Sequence, residues 1–547
     1  MRFRTVMTYF LVLVCITGLK SQLKYVVEDF EGFVEGSKDL KKNGVFTFGN
    51  INGVIERKSE VSHAYSGEGK IQLKREGKLK YGGWGIGVTS FIELDPMHDF
   101  LNFYIYQPST NANSAVKIEI QDDDNEDGIY ESYSDDSWIY YLSVTNKNNW
   151  MLYSIPLSKF KDGNKGGDGL FNINYRDGKL LGLVFTFVDS TFGVSDRKTW
   201  SFDFICFSKG ILPTGKNLFD PLPASPKDFC TLGAWSKEGN GADYTAIAKD
   251  FENLFTASSQ KKLGVIHFFQ PFAADGGNAE NLYPSVEKIN EILQEGYLPM
   301  VTLEDHFVNV NPGVKQPNLY SILEGHFDVF FANWARQIKQ VKGIVLLRIL
   351  HEFNGNWYPW CIVNNDKNAQ LFIKAFRKIH DIFKAEQVSN VRFIWCPNSL
   401  SFPREKWNCI TEAYPGDEYV DIVGMDIYNG ANNNLPVWRS FRQEGIENYF
   451  ILTQKMAGKP LVVCETASRE RNQSEGTAVQ NKAGWIKQMG ESLGSDMSKI
   501  RLLTWFNEKK SFQINSSAGA EDAFLKYILQ NDYFRSGTKY IYPVINK

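Results

Sequence analysis

An antiparallel β-sandwich followed by a (β/α)8 TIM barrel is the fold class this sequence predicts, and two changes of rhythm predict it. Short alternating strands separated by Gly-, Asn- and Asp-rich turns occupy residues 23–210. Eight apolar strand candidates alternating with longer amphipathic stretches occupy residues 229–547. A seam at 211–228, holding Pro213, Pro221, Pro223 and Pro226, divides the two, since each proline fixes φ and removes a backbone donor.

Taken in order, residues 1–22 read as a secretory signal peptide. Arg2 and Arg4 precede the apolar run Phe10–Ile16, which ends near Gly18-Leu-Lys-Ser21 and is short for a bilayer span. Cys15 raises a lipid-anchor alternative, although Val14 stands where such boxes carry a small residue. The sandwich strands are expected at Val45–Phe48, Phe91–Leu94, Leu101–Tyr106, Val116–Ile120, Trp150–Ile155, Leu181–Phe187 and Trp200–Ile205. The barrel strands are expected at Leu232–Trp235, Leu263–Phe269, Leu298–Glu304, Val345–Glu352, Val391–Cys396, Val420–Tyr428, Leu461–Glu465 and Leu502–Phe506. Helix-like segments lie between them at Asp243–Thr256, Leu319–Val341, Asn368–Ala385 and Gln480–Leu493. An open doubly wound sheet is the structural rival, but no Gly-rich turn follows the first barrel strand.

With 60 Lys+Arg against 63 Asp+Glu the formal net charge is −3, and there is no long basic run, which argues against a nucleic-acid partner. No apolar stretch beyond the leader is long enough to span a membrane, and a monomer is the default. The aromatic count is high, with 40 Phe, 25 Tyr and 13 Trp, and flat amphipathic rings suit both sugar faces and cores. None of Cys206, Cys230, Cys361, Cys396, Cys409 and Cys464 forms a CxxC pair, so a zinc ribbon has no support. A bridge between Cys396 and Cys409, or from Cys361 to either, remains open in an exported chain, while Cys464 reads as a buried thiol.

Reactive groups of a βα barrel come from strand C-terminal ends. The fourth barrel strand closes on Glu352 and the seventh on Glu465. A carboxylate that ends an apolar strand is costly unless paired or used. Two of them across one barrel mouth form the pair that glycoside hydrolysis needs, one protonating the leaving oxygen and one attacking or activating water. The bland alternative is that each neutralises an arginine such as Arg348. A zinc peptidase is excluded: after His351-Glu352, the second His of HExxH would fall at position 355, which is Gly355.

The run Arg348-Ile-Leu-His-Glu-Phe-Asn-Gly-Asn-Trp-Tyr-Pro-Trp360 resembles the acid/base motif of glycoside hydrolase family 26, a barrel family of clan A. Cys464-Glu465 resembles that family's nucleophile strand end, and Val423-Gly-Met-Asp-Ile-Tyr428 its sixth-strand motif. The resemblance implies a retaining double displacement on a β-linked plant-type polysaccharide, most often β-1,4-mannan, with Glu352 as acid/base and Glu465 as nucleophile. It implies further that Tyr428 steadies the nucleophile, that Trp505 floors the sugar subsite, and that His306 helps bind glycone sugars. Asp426 and His351 join the substrate-binding cluster, Arg348 supports it, and Trp357 and Trp360 border the cleft as stacking platforms. His267 and Trp395 are weaker candidates, as readily packing as contact. No cofactor is expected for catalysis. Trp357-Tyr-Pro-Trp360-Cys361 and Leu303-Glu-Asp-His306 depart from the common mannanase text, which leaves mixed-linkage β-1,3/1,4-glucan as the alternative substrate. An inverting hydrolase and a non-catalytic glycan-binding barrel are the other readings.

The sandwich loosely resembles galactose-binding-like carbohydrate-binding modules at Phe30-Glu-Gly-Phe33 and Trp150–Ser158, with a structural spacer as its alternative. Within it, Asp123, Asn125 and Asp127 ahead of Gly128 carry the opening of a calcium loop. Ser134 stands where an EF-hand would place its bidentate Glu, so a solvated acidic turn is the competing reading. The glycines of Tyr81–Gly87 precede no helix pattern and do not suggest a phosphate cradle.

Overall fold

The computed structural model describes residues 22–545 except 34–35, 37, 39, 42–43, 58–68, 76–80, 91, 112–113, 175–177, 189–197, 213–227, 237–242, 256–257, 272–281, 305–316, 431–437 and 471–480. The leader, most of the proline seam and His306 therefore lie outside the described residues.

Two antiparallel six-stranded sheets form the N-terminal half. One runs in the order Ile51–Arg57, Gly69–Arg75, Thr199–Lys209, Asp99–Tyr106, Trp150–Pro156, with Gln22–Glu28 also paired to Thr199–Lys209. The other runs Lys161–Asp162, Ser137–Val144, Ser114–Asp122, Leu180–Phe187, Gly82–Ser90, Val45–Gly49. Alternate residues of both turn inward, so that Trp84 and Phe185 of the second sheet meet Phe202 and Phe103 of the first at ring separations of 5.2 and 5.3 Å. The strand expected at Phe91–Leu94 is instead Gly82–Ser90, whose glycines read as a turn. Those glycines leave room for the Phe46 and Phe48 rings of the neighbouring strand to lie over Gly85 and Gly83.

Eight parallel strands close the C-terminal half into a barrel: Cys230–Ser236, Val265–Pro271, Leu298–Glu304, Val345–Arg348, Val391–Trp395, Ile422–Asn429, Leu461–Ser468 and Ile500–Asn507, with the first pairing both the second and the eighth. Their inward residues Val265, Met300, Leu346, Ile394, Ile422, Val462 and Leu502 pack one buried cluster on the barrel axis. The fourth strand stops at Arg348, four residues short of its expected end. Leu350 and Glu352 adopt positive φ of 48° and 52°, which no extended strand can contain. The expected helix Leu319–Val341 is two, Leu319–Leu323 and Asp328–Ile338, parted at Gly325 with φ of 92°. The six described cysteines are free and buried, so none of the bridges left open by the sequence forms. Among the described residues no helix is long and apolar enough to cross a membrane.

The two halves share a core. Val26, Tyr104, Phe204 and Cys206 of the sandwich belong to the same buried cluster as the barrel's outer layer. Helix Phe441–Lys455 lies between them and is buried on nearly every side, which explains why it lacks a polar stripe. Its N-cap is a capping box in which Ser440 accepts from Gln443 N, and the same hydroxyl donates to Asp29 Oδ2 of the sandwich over 2.9 Å.

The acidic turn of the sandwich is closed by its own side chains. Asp123 Oδ2 accepts from Gly128 N, Asn125 Oδ1 from Asp127 N, and Asp127 Oδ1 from Ile129 N, at 3.0, 3.0 and 2.8 Å. These oxygens satisfy local backbone as Asx turns do.

Candidate active site

Arg348 is the hub of the barrel mouth. It is wholly buried, and its guanidinium reaches across the barrel to three other strands: Nε donates to Thr302 Oγ1 at 2.8 Å, Nη1 to Asp426 Oδ2 at 2.6 Å, and Nη2 to Glu465 Oε1. A buried guanidinium is tolerable only with its donors satisfied, and this fork fixes the position of two carboxylates at once. Glu465 is 7% exposed, and its other oxygen accepts from the Tyr428 hydroxyl at 2.6 Å. Arginine and phenol together fix its position.

Glu352 meets a different environment. It is 9% exposed, and its Oε2 accepts from Trp357 Nε1 at 2.7 Å. Burial and then the charge of Asp426 push its pKa up to about 8, against the opposing pull of Arg348 and the indole bond. The turn that presents it is held by Glu352 N on Cys396 O at 2.8 Å and by Asn354, whose side chain bonds Asn398 O at 2.9 Å and Asn398 N at 2.8 Å. Gly355 is required here because a Cβ would lie 2.5 Å from the Trp357 ring. One site thus holds two carboxyls in contrasting surroundings, one clasped by an arginine and a phenol and one raised by burial.

The remaining expected site residues divide. Trp357 is 36% exposed and stands beside Glu352, as a cleft platform would. Trp360 does not: it is fully buried, donates Nε1 to His351 O at 2.7 Å, and stacks on Tyr358 at 4.5 Å. His351 is buried too, its Nε2 3.0 Å from the Tyr358 hydroxyl, so it braces the loop from within rather than facing a sugar. Asp426 has no exposed surface and faces Arg348 and Cys396, which puts it beneath the site as a charge and not at a substrate surface. Trp505 is likewise corrected. It turns away from the barrel axis, donates to Phe512 O at 3.1 Å, and packs edge-on against Trp485 and Phe524. Phe506, one residue on, meets Tyr428 at 5.8 Å and stacks on Trp235 at 4.5 Å. His267, buried on Thr302 at 2.8 Å, is held neutral by burial and by the Arg348 charge; Trp395 is buried with its indole on Ala413 O. Sequence reasoning missed Glu304, which accepts from the Tyr358 hydroxyl at 2.9 Å, together with Thr302 and Phe506. Glu304, at its strand end, carried the same signal as Glu465.

Residues 296–450 match the model of glycosyl hydrolase family 26. Over 303 residues, 54% of this chain, the sequence is 30% identical to Endoglucanase H of Acetivibrio thermocellus, of which 30% is covered. Over 96 residues, 17% of this chain and 18% of the relative, it is 32% identical to Mannan endo-1,4-beta-mannosidase A and B of Caldalkalibacillus mannanilyticus. A solved family 26 β-mannanase from Bacteroides ovatus is 17% identical over 60% of this chain and 96% of that one, with a TM-score of 0.42. The chain spans less than a third of the length of the curated relatives it matches. The matched segment carries Arg348, Glu352, Asp426 and Tyr428 on the third to sixth barrel strands and their loops, so the similarity to glycosyl hydrolase family 26 falls on residues that build this site.

Proposed function

We propose that this chain is an exported endo-β-glycanase that cleaves mannan-type plant polysaccharide by a retaining double displacement. The observation that carries the reading is the contrast between two carboxyls at one barrel mouth, Glu352 pushed up to about 8 by burial and Glu465 clasped by Arg348 and Tyr428. Glu352, protonated at neutral pH, gives its proton to the glycosidic oxygen while Glu465 attacks the anomeric carbon. The C–O bond to the leaving sugar breaks as the glycosyl ester forms. In the second half Glu352, now a carboxylate, takes a proton from water, whose oxygen displaces Glu465. The leader pattern with Arg2 and Arg4 supports export.

A second substrate reading, mixed-linkage β-glucan, is favoured by the Leu303-Glu-Asp-His306 strand end, by the Glu304–Tyr358 bond beside the site, and by the long alignment to an endoglucanase. The sandwich supports glycan capture as well. Across its outer sheet one row runs Tyr141, Lys117, Thr186, Gly83, Phe48, with Tyr141 and Phe46 solvent-exposed. The test is to assay mannan, mixed-linkage glucan and xylan side by side and to follow the first-formed anomer by proton NMR. A β-anomeric product supports retention, an α product would make the enzyme inverting, and activity on none would overturn the hydrolase reading. Glu465→Ala is expected to abolish turnover with the fold intact.

A further inference from the structure

At the end of the outer sheet two buried carboxylates and one half-buried one converge where the mechanism above has no use for them. Asp122 closes strand Ser114–Asp122, Asp124 follows it, and Asp136 precedes strand Ser137–Val144; each offers an oxygen within 4.8 Å of the others. Asp122 and Asp136 have no exposed surface. Among the described residues no lysine or arginine pairs with any of the three, and the charges that act on them most are acidic, from one another and from Asp168.

Part of each carboxylate is accounted for. Asp136 N donates to Asp122 Oδ1 and Asp124 Oδ2 at 3.1 and 2.8 Å, Trp138 Nε1 to Asp122 Oδ2 at 2.9 Å, and Gly169 N to Asp136 Oδ2 at 2.8 Å. Asp124 Oδ1 and Asp136 Oδ1 are buried and have no hydrogen-bond partner, and the nearby Asn172 Oδ1 has none either. The position facing them is Gly167, where a Cβ would lie 2.3 Å from Asp136 Oδ1 and 2.4 Å from Asp124 Oδ2. A cradle of carboxylates with two unpartnered oxygens, without a histidine or cysteine in the cluster and faced by a glycine, is what a hard cation requires.

We propose that Asp122, Asp124 and Asp136 hold a calcium ion that ties the 122–137 hairpin to the loop carrying Gly167. Calcium–oxygen distances of about 2.4 Å allow opposed ligands to stand roughly 4.8 Å apart, and the three oxygens lie within 4.8 Å of one another. The site uses the residues alternating with Asp123, Asn125 and Asp127, whose oxygens serve the neighbouring turn.

The full chain, stripped with chelator, is titrated with CaCl2 at pH 7.5 by calorimetry, and its thermal midpoint is read with and without the ion. One equivalent bound per chain and a midpoint raised by several degrees are expected. Asp136→Asn and Asp124→Asn should each weaken binding at least tenfold and shrink the shift, while Asp127→Asn leaves both unchanged. No binding by the wild-type chain, or binding lost in Asp127→Asn and kept in Asp124→Asn and Asp136→Asn, would overturn the assignment. Hydrolysis at saturating substrate is not the readout, so failure here leaves the barrel's proposed chemistry standing.

Discussion

The indole nitrogen of Trp357 donates to Glu352 Oε2 over 2.7 Å, so the one expected platform that borders the cleft is also a proton-state device. The bond favours the carboxylate form and opposes the upward push of burial. Trp357→Phe keeps the ring and removes the donor. We expect the alkaline limb of the pH–rate profile to move upward and turnover to fall about tenfold, since one bond to a charged group is worth about 1.5–3 kcal/mol. An unmoved limb with unchanged turnover would break the link between this ring and the acid.

The opposite displacement is expected at Asp426. Its negative charge is, after burial, the largest influence raising Glu352, and it is itself raised to about 6 by burial against the pull of Arg348. Asp426→Asn removes that charge and leaves the Arg348 cation less compensated, and both effects favour ionised Glu352. The alkaline limb should move below about 8, at a stability loss of about 3–5 kcal/mol from breaking a buried pair. A limb that rises in this variant would show that Asp426 does not act on Glu352 through its charge.

Stability should carry the same signature. Between the ordinary value of 4.5 and about 8 the native Glu352 keeps a proton that the unfolded chain releases, so this residue's contribution falls as pH rises through that window. Glu28, pushed up to about 8 chiefly by burial, adds to the slope. Glu352→Gln cannot ionise, and its midpoint at pH 8 should exceed that of the parent chain by an amount worth on the order of 1 kcal/mol. Thermal scans at pH 5 and pH 8 check this; a variant less stable at pH 8 contradicts it.

The barrel was legible because eight buried strands repeat one pattern, and strand ends locate the acids whatever the loops do. What was not legible follows from geometry that pattern does not encode. Glu352 sits in a left-handed turn beyond its strand, and no side-chain periodicity announces a positive φ at Leu350 or Glu352. Trp505 and Phe506 are adjacent rings between Thr504 and Asn507, where composition cannot say which ring faces the axis; the pairing of Trp505 with Ala234 and its outward packing on Trp485 decide it. Trp360 reads like Trp357 in the text, yet one indole finds a backbone carbonyl inside the loop and the other a carboxylate at its rim.

The helix Phe441–Lys455 makes a last expectation about the two halves. A barrel helix that loses its sandwich would expose Arg442 along with Ser440 and its bond to Asp29. Arg442 bonds Asp496 at 2.9 Å and lies 5.9 Å from the Phe204 ring, so one side chain spans both halves. Separate unfolding would strand these groups half-solvated and open the shared cluster around Val26 and Phe204, which hydrophobic burial disfavours. Differential scanning calorimetry of the full chain should therefore give one cooperative transition. Ser440→Ala removes both the helix cap and the cross-domain bond, and should lower that single midpoint by an amount worth about 1–2 kcal/mol without splitting it. Two resolved transitions in the parent chain would mean that the sandwich and barrel fold independently despite their common core.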